Sequence, residues 1–300
     1  MKHNLKITII LLVMFIVTQA IVLYVVNHYS QEGNDLPYGM GVPEVEKEMD
    51  FYTSLLPSII LAFVIALALL FLLSKYKVSF IIRLWFFAVV VLALSLAFNS
   101  FISKFSWVPM VAVIIAVPLA YFKIYQRNFL VHNFTEFLIY PGIAAVFVPI
   151  FNFYTIIILL IIISLYDAWA VWHSGIMQKM AKYQMDSLKV FSGFFIPYAS
   201  KTMHAKIKKW KATLSKKQLE KKQIKVNVAI LGGGDIVFPI ITAGVMMTKF
   251  GFWSGIFVVF GALLGLSYLL FIAKKKKFYP AMPFITIGIF LGILASVILL

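Results

Sequence analysis

Apolar segments long enough to cross a bilayer recur along this chain, and that recurrence limits its fold more than any other feature. A helical span needs about 20 mostly apolar residues. Nine such segments can be placed, at 5–26, 54–73, 80–101, 107–125, 136–151, 154–173, 225–247, 252–273 and 280–300. Pro109 and Pro118 interrupt the fourth of these segments and Pro141 and Pro149 the fifth, which is also short, so the fourth to sixth are the least regular part of the pattern. The 300 residues are 62% hydrophobic and only 13% charged, whereas soluble domains carry roughly 45–50% apolar and about 25% charged residues. No soluble core of this size hides so much apolar surface, so lipid is the solvent. The expected fold class is an all-α membrane protein with nine transmembrane helices. The first segment follows Met1-Lys2-His3-Asn4 and exceeds the apolar core of about 7–15 residues of a cleaved signal. It is therefore read as a retained span.

Orientation follows from the basic residues, which favour the cytoplasmic flanks of spans. With the N-terminus cytoplasmic, 24 of the 27 Lys and Arg lie inside, and Lys47, Lys104 and Lys249 lie outside. The C-terminus is then outside. Three regions result. Residues 1–173 hold helices one to six, with an acidic outside loop at 27–53. Residues 174–224 form a basic cytoplasmic loop. Residues 225–300 hold the last three helices.

A net charge of +16 raises the question of nucleic acid. The lysines cluster at 206–225, beside the membrane, where anionic headgroups are the expected contact. No nucleic-acid partner is expected. There are no cysteines, which excludes disulfides, thiolate catalysis and Cys-based zinc sites. His3, His28, His132, His173 and His204 are scattered and lack the H-E-x-x-H spacing of a zinc helix. No cofactor and no metal is expected. No internal repeat of the inverted-transporter kind is visible.

Of the acidic residues, only Asp167 and Asp235 fall inside the assigned spans; Glu136 is placed at a span boundary. An aspartate at mid-helix costs about 2.5–3.5 kcal/mol to insert, so such residues mark function. Counted from the assigned ends at about 1.5 Å per residue, Asp167 lies ~10 Å and Asp235 ~15 Å below the cytoplasmic surface. Two carboxyls meeting at that depth cannot both ionise cheaply, so one keeps its proton. Such a pair can deprotonate a water and polarise a carbonyl, which is the aspartyl-protease device. A structural role for each acid, or an ion- or proton-coupled transporter or channel, explains the acids alone equally well.

The flanking residues discriminate. Gly232, Gly233 and Gly234 precede Asp235 and let another backbone approach closely. Tyr166 adjoins Asp167. Pro280, Ala281, Met282 and Pro283 open the last span, where two prolines withdraw two backbone donors. No Lys-Ser/Thr follows the glycines, as a phosphate loop requires, and Trp253-Ser254-Gly255 lacks the first glycine of a Gly-x-Ser-Gly motif.

Tyr166-Asp167, Gly232-x-Gly234-Asp235 and Pro280-Ala281-Met282 resemble, in order and placement, the YD, GxGD and PAL motifs of presenilins and signal peptide peptidases. Met282 replaces the leucine of the third motif, a swap of similar size and apolarity. Phe238 and Pro239 also look like the family. The resemblance implies an intramembrane aspartic endopeptidase with Asp167 and Asp235 catalytic. Tyr166, Gly232, Gly233, Gly234, Pro280, Ala281 and Met282 would shape the substrate site. The implied partners are a transmembrane peptide or protein substrate, or a remnant signal peptide, and the lipid bilayer. A homo-oligomer stays open. Short loops point to a compact microbial homologue, and so to a microbial plasma membrane.

Overall fold

The computed structural model describes residues 5–41, 79–102, 105, 107–126, 128–174, 191–198, 227–273 and 279–300, with single positions at 57, 58, 61, 65 and 69. Apart from those single positions, the expected span 54–73 lies outside the described residues, as does the lysine cluster at 206–225. Eight helices are described: α1 (Leu5–Tyr29), α2 (Ser79–Ile102), α3 (Val108–Tyr121), α4 (Phe129–Phe147), α5 (Phe153–Trp169), α6 (Gly234–Phe250), α7 (Phe252–Ile272) and α8 (Met282–Leu299). Wider π-helical turns extend α3 through Phe122–Gln126 and α5 through Ala170–Ser174. Between α5 and α6 lie two antiparallel strands, β1 (Gly193–Tyr198) and β2 (Asn227–Gly232).

Among the described residues, seven helices are long and apolar enough to cross a membrane, all but α6. They are apolar outside as well as inside. On α7, Phe260, Leu264 and Tyr268 face outward at one-turn spacing while Ala262, Leu266 and Leu269 are buried. Water would not tolerate that outer face, and lipid does. The chain is an integral membrane protein.

Helix α6 is the centre of the bundle. It touches α1, α4, α5, α7 and α8, and every residue from Pro239 to Met247 is buried. A helix that is apolar all round belongs in such a place. A single residue, Gly251, joins it to α7; the φ of +96° there is a backbone conformation natural to glycine. A second, smaller cluster joins α2, α3 and α4 through Leu94, Ala116, Ala120 and Leu138.

Two boundaries differ from the sequence reading. The segment 225–247 is not one helix, because residues 227–232 form β2 and the helix starts at Gly234. Gly232-Gly233-Gly234 weakens helix formation, and the preceding Val228, Ala229, Ile230 and Leu231 alternate exposed and buried, the period of a strand. The fifth span runs over 129–147 instead of 136–151. Asn128 caps it, accepting a hydrogen bond from the Leu130 N–H at 2.9 Å. Glu136 therefore lies inside the helix and is only 1% exposed.

Helices α7 and α8 meet backbone to backbone. A Cβ built on Gly261 would strike the Gly288 carbonyl, and one on Gly288 would strike the Gly261 carbonyl. Gly265 and Gly292, one turn on in each helix, are equally close to Phe284 and Phe257. Two G-x-x-x-G pairs thus form the seam, as small residues do between membrane helices. Because α8 opens at Met282, this seam also positions the site described next. Gly288→Leu should overpack it at a cost of about 1–3 kcal/mol. A lowered melting temperature in detergent checks this, and a variant as stable as the native protein contradicts it.

Candidate active site

Asp167 lies two residues before the end of regular α5 and is 8% exposed. Its Oδ2 accepts a hydrogen bond from the Met282 N–H at 3.0 Å. The Ala281 N–H is directed at the same carboxylate. The motif around it explains the geometry. Pro280 and Pro283 carry no N–H, so the two donors between them are the ones this turn offers, and both serve Asp167. The start of a helix also presents the positive end of its dipole. Both N–H groups are thus committed to the aspartate. One turn deeper, the Ser164 hydroxyl of α5 donates to the Thr286 hydroxyl of α8 at 2.7 Å, fastening α5 to α8.

Asp235 is the second residue of α6 and keeps partial exposure. Its carboxylate accepts from the Gly232 N–H, and the Asp167 carboxylate lies near enough to act on it electrostatically. The three glycines serve different ends. A Cβ on Gly232 would lie 3.2 Å from Asp235 Oδ2, and one on Gly233 would lie 2.6 Å from Ser192 Oγ. At Gly234 the nearest atom would be a Phe238 ring carbon at 3.8 Å, so that position opens onto space. Helix α6 spans about 26 Å, less than the ~30 Å hydrocarbon layer, so Asp235 and the end of β2 sit at membrane depth. Non-helical backbone is tolerated there only where protein or a wet cavity covers it.

The strand register shows how that backbone is used. Phe194 pairs with Leu231 and Phe195 with Ile230. Asn133 of α4 donates to the Phe195 carbonyl at 2.9 Å and accepts from its N–H at 3.1 Å. Both backbone groups of Phe195 therefore point away from β2. In an antiparallel ladder its partner Ile230 must likewise point away from β1, as must Val228 and Gly232. Pro197 sits in the same alternation, where its missing N–H removes no ladder bond. The edge of β1 is thus held by α4. Among the described residues, nothing holds the outward N–H and C=O of Val228 and Ile230. That open edge runs to Gly232, whose own outward N–H meets Asp235.

Of the residues singled out from sequence, Asp167, Asp235, Gly232, Gly233, Gly234, Pro280, Ala281 and Met282 come together. Tyr166 does not join them as closely: it is 58% exposed on the outer face of α5, its ring 6.4 Å from Trp169. Sequence reasoning missed a neighbouring polar group. Lys123, counted there as a cytoplasmic flank, is 6% exposed and pairs with Glu136, and His132 joins them. Tyr140 is 1% exposed with its hydroxyl beside Gly233. Their one-turn spacing at 132, 136 and 140 was the available signal.

Comparison with known proteins agrees with this geometry. No curated protein matches the chain in sequence. Two solved structures of a presenilin family intramembrane aspartate protease share the fold. One, in the C222 space group, has a TM-score of 0.63 at 17% identity and covers 98% of this chain and 99% of its own. The other, in the P2 space group, has a TM-score of 0.60 at 16% identity and covers 97% of each chain. The family model for signal-peptide peptidase, presenilin aspartyl protease matches residues 38–300, and the chain therefore belongs to that family of membrane aspartic endopeptidases.

Proposed function

We propose that this protease hydrolyses peptide bonds within transmembrane segments of other membrane proteins or of remnant signal peptides, using Asp167 and Asp235 as its catalytic pair. The observation that carries this reading is that two acids from different helices, near enough to interact electrostatically, lie at the end of an open strand edge. Placed together, they share one proton. The charged member takes a proton from a water as that water attacks the scissile carbonyl. The protonated member hydrogen-bonds the carbonyl oxygen, and proton transfer to nitrogen then releases the amine. The pair titrates as a unit, so acid and base are roles of the dyad.

A helical substrate hides its carbonyls in its own hydrogen bonds and must unwind before water reaches them. The outward edge of Val228 and Ile230 supplies replacement bonds by strand addition, and it leads the unwound segment to Asp235. Gly234 leaves room beside the carboxyl for the substrate backbone. Gly232, Gly233, Pro280, Ala281 and Met282 complete the walls of the site, with Tyr166 at its outer margin. In this reading the chain crosses the membrane nine times, with its N-terminus and the basic 174–224 loop in the cytoplasm and its C-terminus outside. With the buried Lys123 set aside, 23 basic residues on one face against three on the other support that topology. The host membrane is a microbial plasma membrane, and the protein works without a cofactor.

Asp167→Ala and Asp235→Ala should each reduce cleavage of a labelled transmembrane substrate on the order of 10³-fold or more. The native rate should fall at both low and high pH, since either a second proton or the loss of the shared one disables the pair. Retained cleavage in either variant, or ion flux without cleavage in the native protein, overturns the assignment. Ile230→Pro removes an outward N–H without touching the β1 ladder. It should abolish cleavage while the protein still inserts and melts normally, and so should Gly234→Val. Full activity in both variants rules out strand addition here.

A further inference from the structure

Helix α4 carries a polar face that the dyad does not use. Lys123 of α3 and Glu136 of α4 form an ion pair at 2.5 Å, with side chains 2% and 1% exposed. Burying such a pair gains little stability by itself, and pairs of this kind are best explained where they specify an arrangement. The third member shows what is specified here. Lys123 Nζ also lies 3.2 Å from His132 Nδ1, and His132 Nε2 lies 2.8 Å from the Gly193 carbonyl. An ammonium has only protons to give, so Nδ1 accepts. A carbonyl has only lone pairs, so Nε2 donates. The imidazole is thereby neutral and fixed in a single tautomer.

Its target is the site end of the hairpin. Gly193 pairs with Gly232, the residue whose N–H meets Asp235. The φ of +130° at Gly193 turns its carbonyl toward α4, and a Cβ there would strike the Leu231 carbonyl. The next residue of α4, Asn133, grips Phe195 on the same edge. Two turns along the same face of α4, the buried Tyr140 hydroxyl lies beside Gly233 and its ring meets Phe194 edge-on at 5.9 Å. One face of α4 thus backs the hairpin from Gly193 to Gly233.

We infer that His132, held in one tautomer by the buried Lys123–Glu136 pair, is a positioning residue that fixes the site end of β1 and so sets the register in which a substrate strand on β2 meets Asp235. The inference rests on the strand-addition reading above. Its signature is the choice of bond cut as well as the rate. Without the Nε2–H donor, β1 shifts on α4 and β2 shifts with it, so the substrate segment presents neighbouring bonds to the dyad.

The test uses the full chain reconstituted with a labelled transmembrane substrate whose products are weighed by mass spectrometry. His132→Ala should lower kcat about ten- to a hundredfold, with a smaller change in KM, and spread cleavage over adjacent bonds. His132→Gln keeps an N–H for Gly193 and an oxygen for Lys123, and should restore both the rate and the single cut. Amide exchange supplies a readout without activity: Phe194 and Leu231 should lose at least about tenfold protection in His132→Ala. If His132→Ala does not accumulate, Asn133→Ala loosens the same edge and should spread the cuts alike. An unchanged cleavage position with unchanged exchange in the variants overturns the inference. A native protein that cuts nothing overturns the proposed function instead, and the exchange experiment still decides the role of His132.

Discussion

Two carboxyl groups brought near one another in apolar surroundings repel unless they share a proton, and the packing around Asp167 and Asp235 keeps both acids at one end of the bundle. Neither acid can drift to water, because each is fixed by backbone N–H groups. Asp167 is met by the first turn of α8 and Asp235 by Gly232 at the end of β2. Those donors come from segments remote in sequence, so the dyad is assembled only when α5, α6, α8 and the hairpin are all in place. The glycine seam between α7 and α8 and the Ser164–Thr286 bond set the position of α8. The α4 side chains set that of the hairpin.

A hydrocarbon layer punishes unpaired backbone, yet a protease for transmembrane helices needs unpaired backbone to receive an unwound substrate. Among the described residues, the hairpin meets both demands in that all but one of its edges is covered. Asn133 and His132 close the far side of β1, while Phe194, Ala229 and Leu231 seal one face of the hairpin against the bundle. Among the described residues, the outward side of β2 is left for another chain. The short α6 follows from the same need, since a strand and three glycines occupy the depth that a full-length span would fill.

Much of this was legible in the sequence because lipid imposes a coarse and strong signal. Apolar length alone located every described helix to within a few residues, apart from the starts of α4 and α6. The two acids stood out for the same reason, since little else in the assigned spans is charged. The misreadings share a cause. Val228 to Leu231 is as apolar as a helix, and its alternation was hidden inside a longer run. Gly193 to Tyr198 is a short strand inside a segment whose lysines mark it as a loop. Lys123 and Glu136 look like boundary charges because sequence does not show that they neutralise each other across two helices. Pairing in three dimensions, unlike hydropathy, leaves no local trace.

The absence of cysteine from the native chain allows a direct test of the meeting of the two acids. Asp167→Cys and Asp235→Cys can be combined and treated in membranes with a short bifunctional thiol reagent. Trypsin then cuts among the thirteen lysines of the segment 174–225, which separates the two positions in sequence. The halves should remain joined on a denaturing gel, and neither single variant should hold them together. Two cysteines that each react singly but never become linked would contradict the meeting of the two acids.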